Sequence, residues 1–414
     1  MVTIRPFRAF RPKPEYAAEV AARPYDVLSS EEAREEVKGH PFSFLHVGKP
    51  EVDLDPSIPL NDPRVYQKAK ENLNELIDKK ILLQDPEPYL YVYAQTMNGR
   101  TQYGLVGCAS SEEYRRNIIK RHEFTRKDKE DDRCEHIRVT KSHSGPIFLT
   151  YRDVPEINSL ITSIVQQPPE NDLIAPDGVR HRSWVISNPN TIKEIVELFR
   201  NEVPVLYIAD GHHRSAAAVR VAAERAASNP QHTGDEEYNY FLAVYFPASQ
   251  LKIMDYNRVV KDLNGLSKEE FLKRIQEYFT VNKSEHPVHP AKKGTIGMYL
   301  DGSWYQLDVA NSLSKSDDPI ESLDVEILQR YVLDPILGIH DPRTDKRIDF
   351  VGGIRGLGEL ERRVNSGEMK VAFSMCPPSM DELMRIADEG KFMPPKSTWF
   401  EPKLRDGLFV HFFD

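Results

Sequence analysis

The sequence predicts an α/β (α+β) fold, and three observations predict it. Short apolar runs rich in Val, Ile, Tyr and Phe alternate with amphipathic or Ala-rich segments along the whole chain. Two hairpin signals, Asn98-Gly99 and Asp301-Gly302, each separate a pair of such runs. One apolar run, Val203 to Ala209, passes into an Ala-rich stretch, Ser215 to Ala227, through Asp210-Gly211-His212-His213-Arg214. That reads as strand, turn and helix.

Taken in order, Val2 to Phe10 suggests a first strand that Pro12 and Pro14 break. Ser29 or Ser30 caps a helix running to Val37, with acids in its first turn. Phe42 to Val47 reads as a buried strand, and Arg64 to Lys80 as a charged amphipathic helix. Tyr89–Ala94 and Thr101–Gly107 flank Asn98-Gly99 as hairpin strands. A polar tract from Arg121 to Arg133 follows, dense enough in acids and bases to contact a ligand. Cys134, His136 and His143 lie nearby but match no common zinc spacing, so a solvated charged loop and helix face is expected there. Tyr240 to Pro247 is a strongly apolar strand, and Gly294–Leu300 with Trp304–Val309 a second hairpin. Asn311 to Pro319 reads as a surface loop, Val371 to Met375 as a strand and Ser379 to Asp388 as a helix. Leu408 to Phe412 closes the chain as a strand.

Composition narrows the function classes. At 414 residues, with 40% hydrophobic and 29% charged, the chain is globular and long enough for two or three domains. Lys and Arg number 55 against 64 Asp and Glu, a net charge of -9, which argues against a general nucleic-acid or acidic-membrane binder. The 3 cysteines, Cys108, Cys134 and Cys376, are far apart and form no Cys-x-x-Cys pair. They fit a reducing compartment rather than a disulfide framework. The first residues lead directly into polar sequence, and no apolar run reaches membrane-spanning length. A cytoplasmic location is therefore expected.

The strand–turn–helix junction is the strongest candidate site. Free N–H groups and the positive end of the helix dipole point at one spot there, which suits phosphate. Gly211 lets the backbone come close to a ligand, Arg214 can grip a phosphate with paired hydrogen bonds, and Asp210 can hold a metal ion or a hydroxyl. Either His212 or His213 can donate to a transferring group. Near the C-terminus, Lys396, Ser397, Thr398 and Lys403 form a short, Pro-ruled, donor-rich segment able to clamp an anion.

Asp210-Gly211-His212-His213-Arg214 with its Ala-rich helix resembles the nucleotide-binding motif of the free serine kinases, ParB/sulfiredoxin-like proteins that phosphorylate free L-serine. The strand Val371 to Met375, the helix Ser379 to Asp388 and Pro394-Pro395-Lys396-Ser397-Thr398 resemble that family's C-terminal strand, helix and Pro-Lys-Thr-Thr segment. Pro24-Tyr25-Asp26 resembles its Pro-His-Glu, with Asp in place of Glu. The whole chain also resembles a prokaryotic family of similar length known as a domain of unknown function.

The kinase resemblance implies a ParB/sulfiredoxin-like nucleotide-binding core using ATP or ADP with Mg2+. It makes Asp26 the base on a substrate hydroxyl. Asp210, Gly211, His212, His213 and Arg214 would hold nucleotide phosphates and metal, with Asp210 the metal ligand, and Lys396, Ser397 and Thr398 would hold the substrate. Trp399 and Phe400 stand where the kinases carry Arg and His. The spacing from Asp26 to Asp210 is far longer than in the kinases. The implied organisation is residues 1–84 as the first part of the core, 85–201 as an inserted α+β subdomain, 202–290 as core with the motif, and 291–414 as a C-terminal α/β subdomain. The insertion could form a lid, recognise a larger substrate or build a homo-oligomer.

The expected activity is phosphoryl transfer to the hydroxyl of a small metabolite, serine or a related compound, with neither nucleic acid nor membrane as partner. A nucleotide-binding regulator of the ParB type and a catalytically inactive ligand-binding protein are the alternatives. Sulfiredoxin-like redox repair calls for a Cys within the motif, where His212 stands.

Overall fold

The hairpin signals fold as read. In the computed structural model, which describes residues 1–310, 313 and 316–414, Asn98 and Gly99 take positive φ of 51° and 74°. Positive φ at both turn positions is what a tight two-residue hairpin requires. They join β1 (Leu90–Met97) to β2 (Arg100–Ser110), paired antiparallel. The chain divides into two units, Met1–Leu251 with Pro402–Asp414, and Lys252–Glu401. Each is a mixture of helices and sheet, so the fold is α/β in the broad sense.

The first unit is built on an eight-stranded sheet. Besides β1 and β2 it contains β3 (Ile119–Lys120), β4 (Ile147–Tyr151), β5 (Asn171–Ile174), β6 (Arg180–Ile186), β7 (Leu206–Asp210) and β8 (Tyr240–Pro247). Their order is β3-β7-β4-β8-β2-β1-β6-β5. β7 runs parallel to β3 on one side and antiparallel to β4 on the other. Both neighbours come from residues 85–201. That segment is therefore woven into the sheet that carries the motif and does not stand apart as a subdomain. Nearly every residue of β4, β7 and β8 is buried, because helices cover the sheet. Two of them are α2 (Lys127–Thr140), which buries Cys134 and Ile137, and α3 (His212–Ser228), which buries Ala217, Ala218, Val219 and Val221, in the main core with Ile147, Leu206 and Ile208.

Residues 402–414 complete this unit, so 291–414 is not one block. Backbone bridges tie Ala22 to Asp406 and Phe10 to Val410, and His411–Phe412 pairs with Ser142–His143. The expected strand at Phe42 to Val47 is instead a single helical turn, Leu45–Gly48. A run this short, closed by Pro41 and Pro50, fits one helical turn as well as a strand. Phe44, Leu45 and Val47 pack with Leu73 and Leu76 of α1 (Pro63–Asp78). Ser29 caps the Ser30–Glu36 helix in a reciprocal box with Glu32.

The second unit holds a six-stranded sheet, antiparallel throughout. Its strands are β9 (Tyr256–Val260), β10 (Phe279–Ser284), β11 (Thr295–Leu300), β12 (Ser303–Val309), β13 (Ile348–Gly352) and β14 (Val371–Ser374). They lie in the order β10-β12-β11-β14-β9-β13. Asp301 and Gly302, with φ of 50° and 73°, make the second hairpin turn. Of the loop expected over Asn311 to Pro319, residues 311, 312, 314 and 315 lie outside the described residues. Among the described residues, no helix is long and apolar enough to cross a membrane.

Candidate active site

The junction starts with a glycine. Gly211 has φ 94° and ψ 30°, the left-handed region, and serves as the N-cap of α3. Helix α3 consequently begins at His212, three residues before the Ala-rich stretch suggested. His212, His213 and Arg214 thus form its first turn. Their N–H groups have no partner within the helix, and no side chain caps them. A Cβ at position 211 would come within 3.3 Å of Arg214 Nε and Nη2, so glycine also makes room for the guanidinium.

Asp210 and Arg214 are held from several sides. The half-buried Asp210 accepts a hydrogen bond from Lys403 Nζ at 3.1 Å on Oδ2, and Arg214 Nη2 stands 3.8 Å from the same oxygen. Gly211 N–H donates to Asp210 Oδ1 at 3.0 Å. Burial pushes this carboxyl upward, but the charges of Lys403 and Arg214 and the Lys403 bond outweigh it and bring it down to about 2. Arg214 is buried and donates from Nη1 to the Pro146 carbonyl at 2.8 Å. Its buried Nε has no hydrogen-bond acceptor among the described residues. Burial works against its charge, and Asp26, Asp210 and Asp406 together hold it protonated.

The two histidines differ. His213, half-buried, accepts the Arg126 backbone N–H on Nε2 at 3.0 Å, which puts its proton on Nδ1. Burial lowers its pKa, with the charge of Asp26 opposing. His212 is buried, its ring edge-to-face with His122 at 4.5 Å and its Nδ1 3.8 Å from Glu123 Oε2. Burial first, and the neighbouring His122 second, keep it neutral well below the usual histidine range. Asp26 is exposed on the turn Tyr25–Val27, and its charge is felt by Arg214 and His213. The structure thus brings Asp26, Asp210, Gly211, His212, His213 and Arg214 into one neighbourhood of the first unit.

Behind Arg214 is a small cavity of about 30 Å³, lined among others by Tyr25, Arg133, His143, Gly145 and Asp406. Arg133 lies 3.9 Å over the Tyr25 ring. Asp406 is buried, and its Oδ1 has no hydrogen-bond partner. Burial raises its carboxyl to about 7, against the pull of Arg214.

Lys396, Ser397 and Thr398 belong to the second unit. Lys396 is exposed, has φ 55°, and its Nζ sits 5.8 Å from the Tyr256 ring centroid. Ser397 is buried, and its hydroxyl donates to the Pro394 carbonyl at 2.6 Å. That bond engages the hydroxyl in its own turn.

The sequence matches the family model described as "Protein of unknown function (DUF1015)" over residues 4–326. The chain belongs to the DUF1015 family. This is the domain-of-unknown-function family expected from the motif, and the match includes Asp26 and the junction. No curated protein matches the chain. A conserved hypothetical protein from Pyrococcus furiosus is similar at 14% identity over 73% of this chain and 93% of its own, with a TM-score of 0.34. A free serine kinase in complex with AMP is similar at 11% identity over 73% of this chain and 91% of its own, with a TM-score of 0.35. A mutant free serine kinase in complex with ADP is similar at 12% identity over 74% of this chain and 93% of its own, also with a TM-score of 0.35.

Several residues around the junction sit differently from the sequence reading. Lys403 was expected to clamp an anion; the anion it meets is Asp210. Asp406 carried no local signal, and Arg133 was noted only as the end of the Arg121–Arg133 polar tract. Cys134, His136 and His143 are buried rather than solvated. Cys134 faces the Ala217 carbonyl at 3.8 Å, and His136 Nε2 bonds the Val47 carbonyl at 2.8 Å. The one group of metal-ligating side chains among the described residues is His122, Glu123 and His212.

Proposed function

We propose that the first unit is a small-molecule kinase with a ParB/sulfiredoxin-like nucleotide site. It binds ATP or ADP at the β7–α3 junction and transfers a phosphoryl group to the hydroxyl of a small metabolite, serine or a related compound. The observation that carries this reading is Arg214 Nε, a buried donor with no acceptor, at the first turn of a helix no side chain caps. A buried unmet donor costs about 1–3 kcal/mol, and an anion at that turn removes the penalty.

In this reading Asp26 takes the proton of the attacking hydroxyl, and the substrate's hydroxyl oxygen bonds to the terminal phosphorus as the bond to the leaving nucleotide breaks. An exposed carboxylate beside Arg214 and His213 is reachable by a substrate entering from solvent. The Nδ1–H of His213 and the first-turn N–H groups of α3 meet charge on the transferred group. Such chemistry needs positioning and neutralisation more than a strong nucleophile. Asp210 suits Mg2+ as a hard oxygen ligand. Lys403 and Arg214 already neutralise it, so Mg2+ entering with the nucleotide has to compete with them.

That competition also favours a second reading, nucleotide binding without transfer. Incubating the protein with Mg2+, ATP or ADP and a pool of hydroxylated metabolites including L-serine separates the two, with products read by mass spectrometry. Turnover that Asp26→Asn abolishes supports the kinase. Nucleotide binding without product supports the second reading.

A further inference from the structure

We propose that His122, Glu123 and His212 form a binding site for a transition-metal dication, distinct from the Mg2+ expected to accompany a nucleotide. Their ligand atoms all lie within 4.8 Å of one another. Donors bound at ~2.1 Å around a tetrahedral ion sit roughly 3.4 Å apart, so shifts of about 1 Å per side chain close the site. Glu123 is half-buried and borders solvent, which gives it room for that movement.

The topology explains why these residues meet. β3 and β7 are parallel neighbours, with Ile119 opposite Leu206 and Lys120 opposite Tyr207. Both strands end at the same edge of the sheet. His122 follows the last residue of β3 by two positions, and His212 follows the last residue of β7 by two. The carboxyl ends of adjacent parallel strands are where α/β sheets gather ligands.

His212 supplies the second observation. Its ring is buried, yet its Nε2 makes no hydrogen bond among the described residues. Its Nδ1 stops 3.8 Å from Glu123 Oε2. A buried imidazole left this way is unusual in a folded protein and calls for a ligand. His122 also donates a ring N–H to the Ile208 carbonyl. Metal-bound histidines are commonly held by just such a carbonyl, which fixes the ring's orientation. Two imidazoles and one carboxylate suit Zn2+ or Mn2+, whereas Mg2+ prefers oxygen donors throughout. Three protein ligands leave coordination positions open at the β7–α3 junction.

The test uses the full chain without an affinity tag, stripped with EDTA and free of nucleotide. Zn2+ and Mn2+ are titrated by calorimetry, and Co2+ by its visible absorption, which reports coordination number. The expected result is one equivalent bound. His122→Ala and Glu123→Gln should each weaken binding by on the order of 100-fold, while circular dichroism remains that of the parent. Glu123→Gln sits at a partly exposed position, so it keeps the test sound should a histidine variant fold poorly. Absence of stoichiometric binding overturns the inference. So does binding that both variants leave unchanged, or binding of Mg2+ with Zn2+ and Mn2+ refused. Nucleotide affinity of the metal-free protein is measured alongside. A protein that binds nucleotide but takes up neither Zn2+ nor Mn2+ refutes this site and spares the kinase reading; one that takes up the metal but binds no nucleotide does the reverse.

Discussion

Asp406→Asn is the perturbation whose effect follows most directly from the geometry. Asp406 is 5% exposed, and its carboxyl is raised from 3.8 to about 7, first by burial and against the charge of Arg214. A raised folded-state pKa adds stability that is fully present below pH 3.8 and is lost as pH climbs through 7. Between those values unfolding releases a proton, so this group lowers stability by about 1.4 kcal/mol per pH unit. From pH 5 to pH 8 the loss amounts to about 3 kcal/mol. Asparagine does not titrate, and this part of the slope vanishes. The absolute change at one pH also contains the altered attraction to Arg214. The quantity to read is therefore how the parent–variant difference moves with pH, in which the other titrating groups cancel. Urea unfolding followed by Trp184 fluorescence measures it, with Trp304 and Trp399 replaced by Phe in both backgrounds so that only the first unit reports. The difference should shift toward the variant by about 2–4 kcal/mol between pH 5 and pH 8. A difference that stays constant refutes the reasoning and shows that Asp406 is ionised in the folded protein across that range.

Three further predictions come from single residues. Gly211→Ala forces a side chain into φ 94° and to 3.3 Å from the Arg214 guanidinium; it should cost about 1–3 kcal/mol in denaturant unfolding and weaken nucleotide binding, measured by calorimetry. Lys403→Met removes a main opponent of burial at Asp210, whose carboxyl should rise from about 2, as followed by NMR titration of its side-chain carbon. Arg258, buried in the second unit beside the Phe350 ring, has a pKa lowered by burial to about 10 and pairs with no carboxylate among the described residues. Arg258→Met should therefore stabilise that unit by about 1–3 kcal/mol in urea unfolding followed by Trp304.

What was legible in the sequence was what is local. Asn98-Gly99 and Asp301-Gly302 fix their hairpins because positive φ is a property of those two residues alone. The cap of the Ser30–Glu36 helix lies within one helical turn, and the sequence narrowed it to Ser29 or Ser30; the box with Glu32 selects Ser29. The junction was legible as a motif, but its helix start was not. An Ala-rich run marks where helix propensity is high, whereas the αL conformation of Gly211 starts α3 at His212 and puts both histidines in the first turn. Long-range partners were out of reach. Lys403 meets Asp210 across 193 positions, and Asp406 reaches its place through backbone pairing with Ala22. The segment 85–201 looked like an insertion because its length was visible and its pairing was not. It supplies both neighbours of β7, without which the motif strand would have two bare edges. His122 and Glu123 stood within a tract noted for its charge, but parallel pairing of two strand ends has no signature in sequence.

The central claim is phosphoryl transfer at the β7–α3 junction. The direct measurement follows the parent protein, Asp26→Asn and Asp210→Ala with Mg2+, ATP or ADP and the hydroxylated metabolite pool, reading nucleotide conversion and phosphorylated products by mass spectrometry. The account predicts a phosphorylated metabolite from the parent alone, with nucleotide still bound by Asp26→Asn. A parent protein that forms no phosphorylated product contradicts it, whether or not it binds nucleotide.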